Sequence, residues 1–304
     1  MKTFRFSICA LALFSSSVFA AGTLSVGDQR ANARAILEAS GELSNVPYTI
    51  EWHEFANAAP LLEAMRAGSL DAGSVGDAPL TFAVAAGLDA KGILATRYAG
   101  NALIVKKGSA IRNVSELKGK KIATVKGSSG HNLAMQALGK AGLQPSDVTF
   151  VFTTPAEATL VLDQGGVDAV ATWEPYVSFA TQQSGAQIIA DGKDYPALSY
   201  LVASNKAIAD KKTALADFSQ RLIRARSWTA KHPQAYATAI ARLLRIPQEV
   251  ALLKVKRELN QVEPDTQAVL AVQQNTADLY LKNGLIPKPI EAKTFIDLSL
   301  SQGK

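Results

Sequence analysis

Residues 126–132 read Lys126-Gly127-Ser128-Ser129-Gly130-His131-Asn132, which puts two hydroxyls and an imidazole beside two glycines. Ahead of them, Ile122-Ala123-Thr124-Val125 is a short apolar run that predicts a buried strand. Behind them, Leu133, Ala134, Ala137, Leu138 and Ala141 recur at helical spacing, and Gly142 marks a stop. The first turn of such a helix carries N–H groups with no acceptor inside the helix. Small residues there let an anion approach those donors and the positive end of the helix dipole. Two readings stand at this point. The turn is an anion seat, or Ser129 simply caps the helix, as serine often does.

Catalytic patterns do not assemble elsewhere. Gly127-Ser128-Ser129-Gly130 lacks the spacing of a Gly-x-Ser-x-Gly elbow. Neither a His-Glu-x-x-His helix nor a phosphate-binding Walker loop is present. His53, His131 and His232 are scattered, so no zinc site is expected, and no cofactor is implied. Cys9 is the only cysteine. It stands within a leader-like start: Lys2 and Arg5, an apolar stretch from Ile8 to Phe19, and small residues up to Ala20. This predicts a signal peptide at 1–20 and a mature chain without thiols, disulfides or thiolate metal sites, exported to the periplasm. Lys2 and Arg5 leave with it, taking the net charge from +6 to +4. The basic patches, such as Lys118 to Lys121 and Lys254 to Arg257, are short and lack interleaved aromatics, which argues against nucleic acid.

The remaining chain alternates strand and helix. Strands are predicted at Leu24–Gly27, Tyr48–Phe55, Asp71–Val75, Ile93–Tyr98 and Asn101–Lys107, then at Thr149–Thr153, Asp168–Trp173, Gln187–Ala190 and Tyr200–Ala203. Helices fall between them, and from Ala214 to Lys282 the pattern is almost wholly helical. This is an α/β arrangement with parallel sheets covered by helices. Gly68-Ser69-Leu70-Asp71-Ala72 is echoed 97 positions later by Gly165-Gly166-Val167-Asp168-Ala169, with Asp77 matched by Glu174. Two similar lobes would produce such an echo. Ligands of open α/β sheets sit beyond the carboxyl ends of the strands. Those ends are Asp28 to Arg30, Gly76 to Ala78, Lys126 to His131 and Trp173 to Tyr176. Facing lobes would gather these loops around one cleft able to close by hinge motion.

At these residues the chain resembles the aliphatic-sulfonate-binding proteins of ABC importers, relatives of the taurine- and nitrate-binding proteins. The likeness rests on Glu51 to Phe55, Leu61 to Ala64, Gly68 to Pro79, Lys126 to Leu133, Trp173-Glu174-Pro175-Tyr176 and Gln274 to Leu279. It implies a two-lobed periplasmic binding protein fold of type II, with crossover strands at Asn101–Lys107 and Tyr200–Ala203 and a helical C-terminal region. The lobes are expected at 21–102 plus 200–304 and at 103–199. The resemblance also implies a monomer that delivers a small anionic ligand, an alkanesulfonate, to a membrane permease. It places Gln29 and Arg30 in a polar first loop, Ser128, Ser129 and His131 at the sulfonate head, and Asp77 and Trp173 along the cleft. Ala78, Glu174 and Tyr200 complete the candidate set. The chain departs from the family at Asp28-Gln29-Arg30-Ala31, at Glu174 where the family carries Asp, and in a shorter stretch from Thr96 to Asn101.

A sulfonate presents three oxygen acceptors and a permanent charge, so its host must supply fixed donors. Arg30 could offer a forked pair, or could project to solvent or bridge to Asp28. A helix end contributes roughly 0.3–2 kcal/mol, whereas a micromolar site needs about 8. Asp77 and Glu174 either cap helices or face the cleft, where they would favour a ligand carrying an amine, such as taurine. Nitrate, bicarbonate or a thiamine-precursor-like molecule are alternative ligands, and an enzyme on the same fold is the alternative of a different class.

Overall fold

The computed structural model describes residues 22–30 and 32–302, so the expected signal peptide and Cys9 lie outside the described residues. The chain begins β1 (Thr23–Gln29), α1 (Ala33–Ser40), β2 (Thr49–Phe55), α2 (Ala58–Arg66), β3 (Ala72–Gly76), α3 (Asp77–Ala85) and β4 (Ala90–Arg97). It continues β5 (Ala102–Val105), β6 (Lys121–Thr124), α4 (Ser129–Lys140), β7 (Thr149–Phe152), α5 (Pro155–Asp163), β8 (Ala169–Thr172), α6 (Tyr176–Phe179) and β9 (Gln187–Asp191). It returns through β10 (Leu198–Ser204) to α7 (Asn205–Asp210), α8 (Lys212–Lys231), α9 (Pro233–Leu244), α10 (Gln248–Glu258), α11 (Thr266–Lys282), α12 (Ala292–Phe295) and α13 (Ser299–Gln302).

Two five-stranded sheets result, in the orders β2-β1-β3-β10-β4 and β7-β6-β8-β5-β9. β10 runs antiparallel to β3 and β4, and β5 antiparallel to β8 and β9, while the other strands share one direction. The chain passes between sheets through 98–101 into β5 and through 192–197 into β10. Every residue of β5 and of β8 is buried, which suits their apolar runs, broken only by Thr172 at the end of β8, in strands covered on both faces. α1, α8 and α9 pack on one face of the first sheet, and α2 and α12 help to cover the other. The second sheet is sandwiched in the same way, by α4 on one side and α5 on the other.

The two halves meet on either side of a gap. On one side Ala78 and Phe82 of α3 and Tyr280 of α11 pack with Met135 of α4 and Phe150 of β7. Asn132 Nδ2 donates to Thr276 Oγ1 at 3.4 Å in the same zone. On the other side Arg257 of α10 bonds to groups of the second half. Among the described residues no helix is long and apolar enough to cross a membrane, and no cluster of His, Cys, Asp and Glu could hold a metal ion.

Candidate functional site

The gap is a cleft of about 480 Å³. Gln29, Arg30, Ser128, Ser129, Trp173 and Glu174 all line it. The sheets explain why. β1, β6 and β8 end at Gln29, Thr124 and Thr172, so the loops that follow open toward the space between the sheets.

α4 starts as its sequence predicts, with one change of role. Ser128, rather than Ser129, is the N-cap, and its Oγ accepts the His131 N–H at 3.2 Å. The Ser128 N–H donates to Val125 O and the Gly127 N–H to His131 Nδ1. Among the described residues, the Ser129 and Gly130 N–H groups donate to no other protein group. Gly127 has φ +73°, a left-handed turn that suits glycine, and Gly127, Ser128 and Ser129 all line the cleft. A Cβ at Gly127 would lie 2.8 Å from Phe82 of the opposite half.

Gln29 is held by its own amide, whose Nε2 donates to Ser74 O at 2.9 Å. Arg30 stands at the rim. Its side chain is 60% exposed and its Nε is 3.7 Å from Glu54 Oε1, so it neither bridges to Asp28 nor forks into the cleft. An exposed pair of this kind contributes little to affinity, and steers an incoming anion more than it holds one. Asp28 is occupied elsewhere, accepting the Ala33 and Arg34 N–H groups at the start of α1. Trp173 forms a wall with Tyr176, their rings edge to face at 6.0 Å. The Glu174 carboxylate accepts the Ser178 N–H and the Arg257 Nε–H. Burial pushes the Glu174 carboxyl up, against the pull of Ser178 and Arg257.

Asp77, Ala78, His131 and Tyr200 do not line the cleft. Asp77 is fully buried, and its carboxylate accepts the Ala78 N–H at 2.7 Å and the Leu198 N–H at 3.2 Å. It therefore staples the start of α3 to β10, the capping alternative rather than the ligand-facing one. Burial raises its carboxyl to about 6. Ala78 is drawn into the apolar contact with Met135 and Tyr280. The His131 ring lies edge-on to Phe150 and Phe152, at 4.8 and 5.4 Å. Burial, and next the Lys126 charge, lower it to about 4, so it is neutral and offers no cation to an anion. Tyr200 sits within the first sheet, fully buried among the apolar side chains of one sheet face.

Sequence reasoning missed much of the wall. Phe82, Tyr98 and Phe179 add aromatic surface, while Ser199, Lys254 and Glu258 add polar groups. Lys254 and Glu258 form a buried pair at 2.7 Å on successive turns of α10. Their i, i+4 spacing is readable in sequence, but nothing there says that this face of α10 turns inward.

The comparisons with known proteins agree with this fold. The NMT1-like family matches residues 29–245. An aliphatic sulfonates-binding protein of Escherichia coli is 35% identical over 298 residues, covering 92% of each chain. Among solved structures, the alkanesulfonate-binding protein SsuA of Xanthomonas axonopodis pv. citri, bound to MOPS, aligns with a TM-score of 0.82 at 29% identity. That alignment covers 91% of this chain and 98% of the Xanthomonas one. The periplasmic aliphatic sulphonate binding protein SsuA of Escherichia coli aligns at 0.78 and 30% identity, covering 90% and 92%. The α/β fold of two mixed sheets, its C-terminal helices and these matches together place the chain in the NMT1-like family, among the aliphatic sulfonate-binding proteins.

Proposed function

We propose that this protein is the periplasmic substrate-binding component of an ABC importer and carries an aliphatic sulfonate, as a monomer, in the cleft between its two halves. The observation that carries the reading is the pair of unengaged amides at Ser129 and Gly130, at the start of the 12-residue helix α4. They are fixed donors, already oriented, for the oxygens of a permanent anion. The contacts assigned to the head group are these amides with the Ser129 hydroxyl and the Gln29 side chain, and Arg30 steers from the rim. Phe82, Trp173 and Tyr176 receive the organic part by apolar burial. A cleft of about 480 Å³ is of the size that takes small organic molecules, about 300–1,000 Å³, and is generous for nitrate or bicarbonate. The lobes we assign are 21–102 with 200–304, and 103–199.

The reading is of a binder and not of an enzyme. Ser128 and His131 are both spent on the helix cap: Ser128 Oγ accepts the His131 N–H, and His131 Nδ1 accepts the Gly127 N–H. A nucleophile and base would instead face one another. The test is a thermal-shift and calorimetry panel of ethanesulfonate, butanesulfonate, octanesulfonate, taurine, sulfate and nitrate. A ligand at 100 times its Kd stabilises the native state by about 2.7 kcal/mol, so the ranking of shifts reads specificity. Alkanesulfonates should give the largest shifts and be recovered unchanged. A panel led by nitrate or sulfate, or the release of sulfite, would overturn the reading.

A further inference from the structure

Glu174 lines the cleft beside Trp173, and its side chain has no solvent exposure. Left alone, a carboxylate there would repel an anion and attract an ammonium group on the ligand. It is not alone. Arg257 Nε donates to Glu174 Oε1 at 2.7 Å, Nη1 to Asp191 Oδ2 at 2.9 Å and Nη2 to Asn101 O at 3.3 Å. One guanidinium from α10 thus closes on two carboxylates of the opposite half and on a carbonyl of the connection between the sheets. Asp191 is the more solvated of the two carboxylates, 22% exposed, and does not line the cleft. Two further carboxylates of the cleft lining are likewise occupied, Glu258 by Lys254 at 2.7 Å and Asn260 at 2.9 Å, and Glu63 by Arg66.

We propose that Arg257 is a specificity-determining residue: it cancels the Glu174 charge at the cleft wall, so that the site takes sulfonates with an uncharged organic part and disfavours aminosulfonates. Buried charges act on one another strongly because little water screens them. Removing one partner of such a pair leaves the other exposed to the ligand's field. The inference rests on the sulfonate reading above.

Ethanesulfonate and taurine differ at one end only, a methyl against an ammonium-bearing carbon, so calorimetry of the mature chain with each isolates this effect. Wild-type protein should prefer ethanesulfonate. Arg257→Gln should weaken ethanesulfonate about tenfold or more and move the preference toward taurine. Arg257→Gln combined with Glu174→Gln should restore the ethanesulfonate preference, and Arg257→Lys should retain it, outcomes that a purely structural role would not produce. Glu174→Gln alone should widen the preference, and it reads the same coupling if Arg257→Gln fails to fold. A taurine-to-ethanesulfonate ratio unmoved in these variants overturns the inference while leaving the sulfonate reading intact. Wild-type protein that binds no alkanesulfonate overturns both.

Discussion

The imidazole of His131 stands between two aromatic edges, with Nδ1 accepting the Gly127 N–H at 3.2 Å. That bond fixes the turn ahead of the unengaged Ser129 and Gly130 amides, so the side chain shapes the seat without lining the cleft. Its depressed pKa has a consequence for stability. The unfolded chain takes up a proton near pH 6.5 and the folded one only near pH 4. The contribution of neutral His131 is therefore complete above pH 6.5 and is lost as pH falls toward 4. The shift corresponds to at most about 3 kcal/mol. Asp28, raised to about 7 by burial, and Asp77 act with the opposite sign and contribute most in acid. Wild-type melting alone would therefore mix the trends, and the comparison with His131→Phe separates them. Relative to that variant, wild type should lose stability steadily from pH 6.5 to pH 4.5 and hold a constant difference above pH 7. A difference independent of pH would mean that His131 titrates normally.

At the scale of elements, α4 matters through where it begins. Its second residue, Gly130, packs so closely on β8 that a Cβ would stand 2.6 Å from Ala171 O and 2.9 Å from the Thr172 backbone. Backbone cannot retreat as a side-chain tip can. Gly130→Ala should therefore cost about 1–3 kcal/mol and displace the amides from the cleft. A lowered midpoint in urea with unchanged slope, together with loss of ligand-induced stabilisation, is the expected pattern; wild-type stability would show that α4 can slide without harm. The strand, turn and helix around this glycine are readable in sequence because each is local: an apolar run, two small residues and a 3.6-residue rhythm. So is the alternation that builds both sheets. The inward face of His131 is not readable, since its partners lie on β7 and become neighbours only when β7 pairs with β6. Arg257 is further out of reach, separated from Glu174 by 83 positions and presented by a helix whose rhythm is only weakly one-sided. The Asp77 alternative was open for a related reason. An acid in the first helical turn suits a cap and a cleft equally, and only the position of Leu198 decides between them.

On the scale of the whole molecule, the two sheets are joined by 98–101 and 192–197 and close on each other through α3, α4 and α11 on one flank. Gly76 ends β3 in the first half and Ser129 begins α4 in the second. A Cβ on Gly76 would lie 2.4 Å from Ser129 Oγ, so the halves touch there across the cleft. If a ligand resting on the Ser129 amide leaves by hinge opening, this contact parts. Cysteines at both positions should then test closure directly, because a Cβ at Gly76 lies against the side chain of residue 129 across the cleft. Cys9, the one native cysteine, belongs to the expected leader, so no competing thiol is expected in the mature chain. The double variant, Gly76→Cys with Ser129→Cys, oxidised after loading with butanesulfonate, should release ligand far more slowly than the reduced form, and dithiothreitol should restore exchange. Each single variant controls for the added side chains. If the oxidised protein exchanges ligand as fast as the reduced one, passage does not require the halves to separate at this contact, and hinge opening is not the gate.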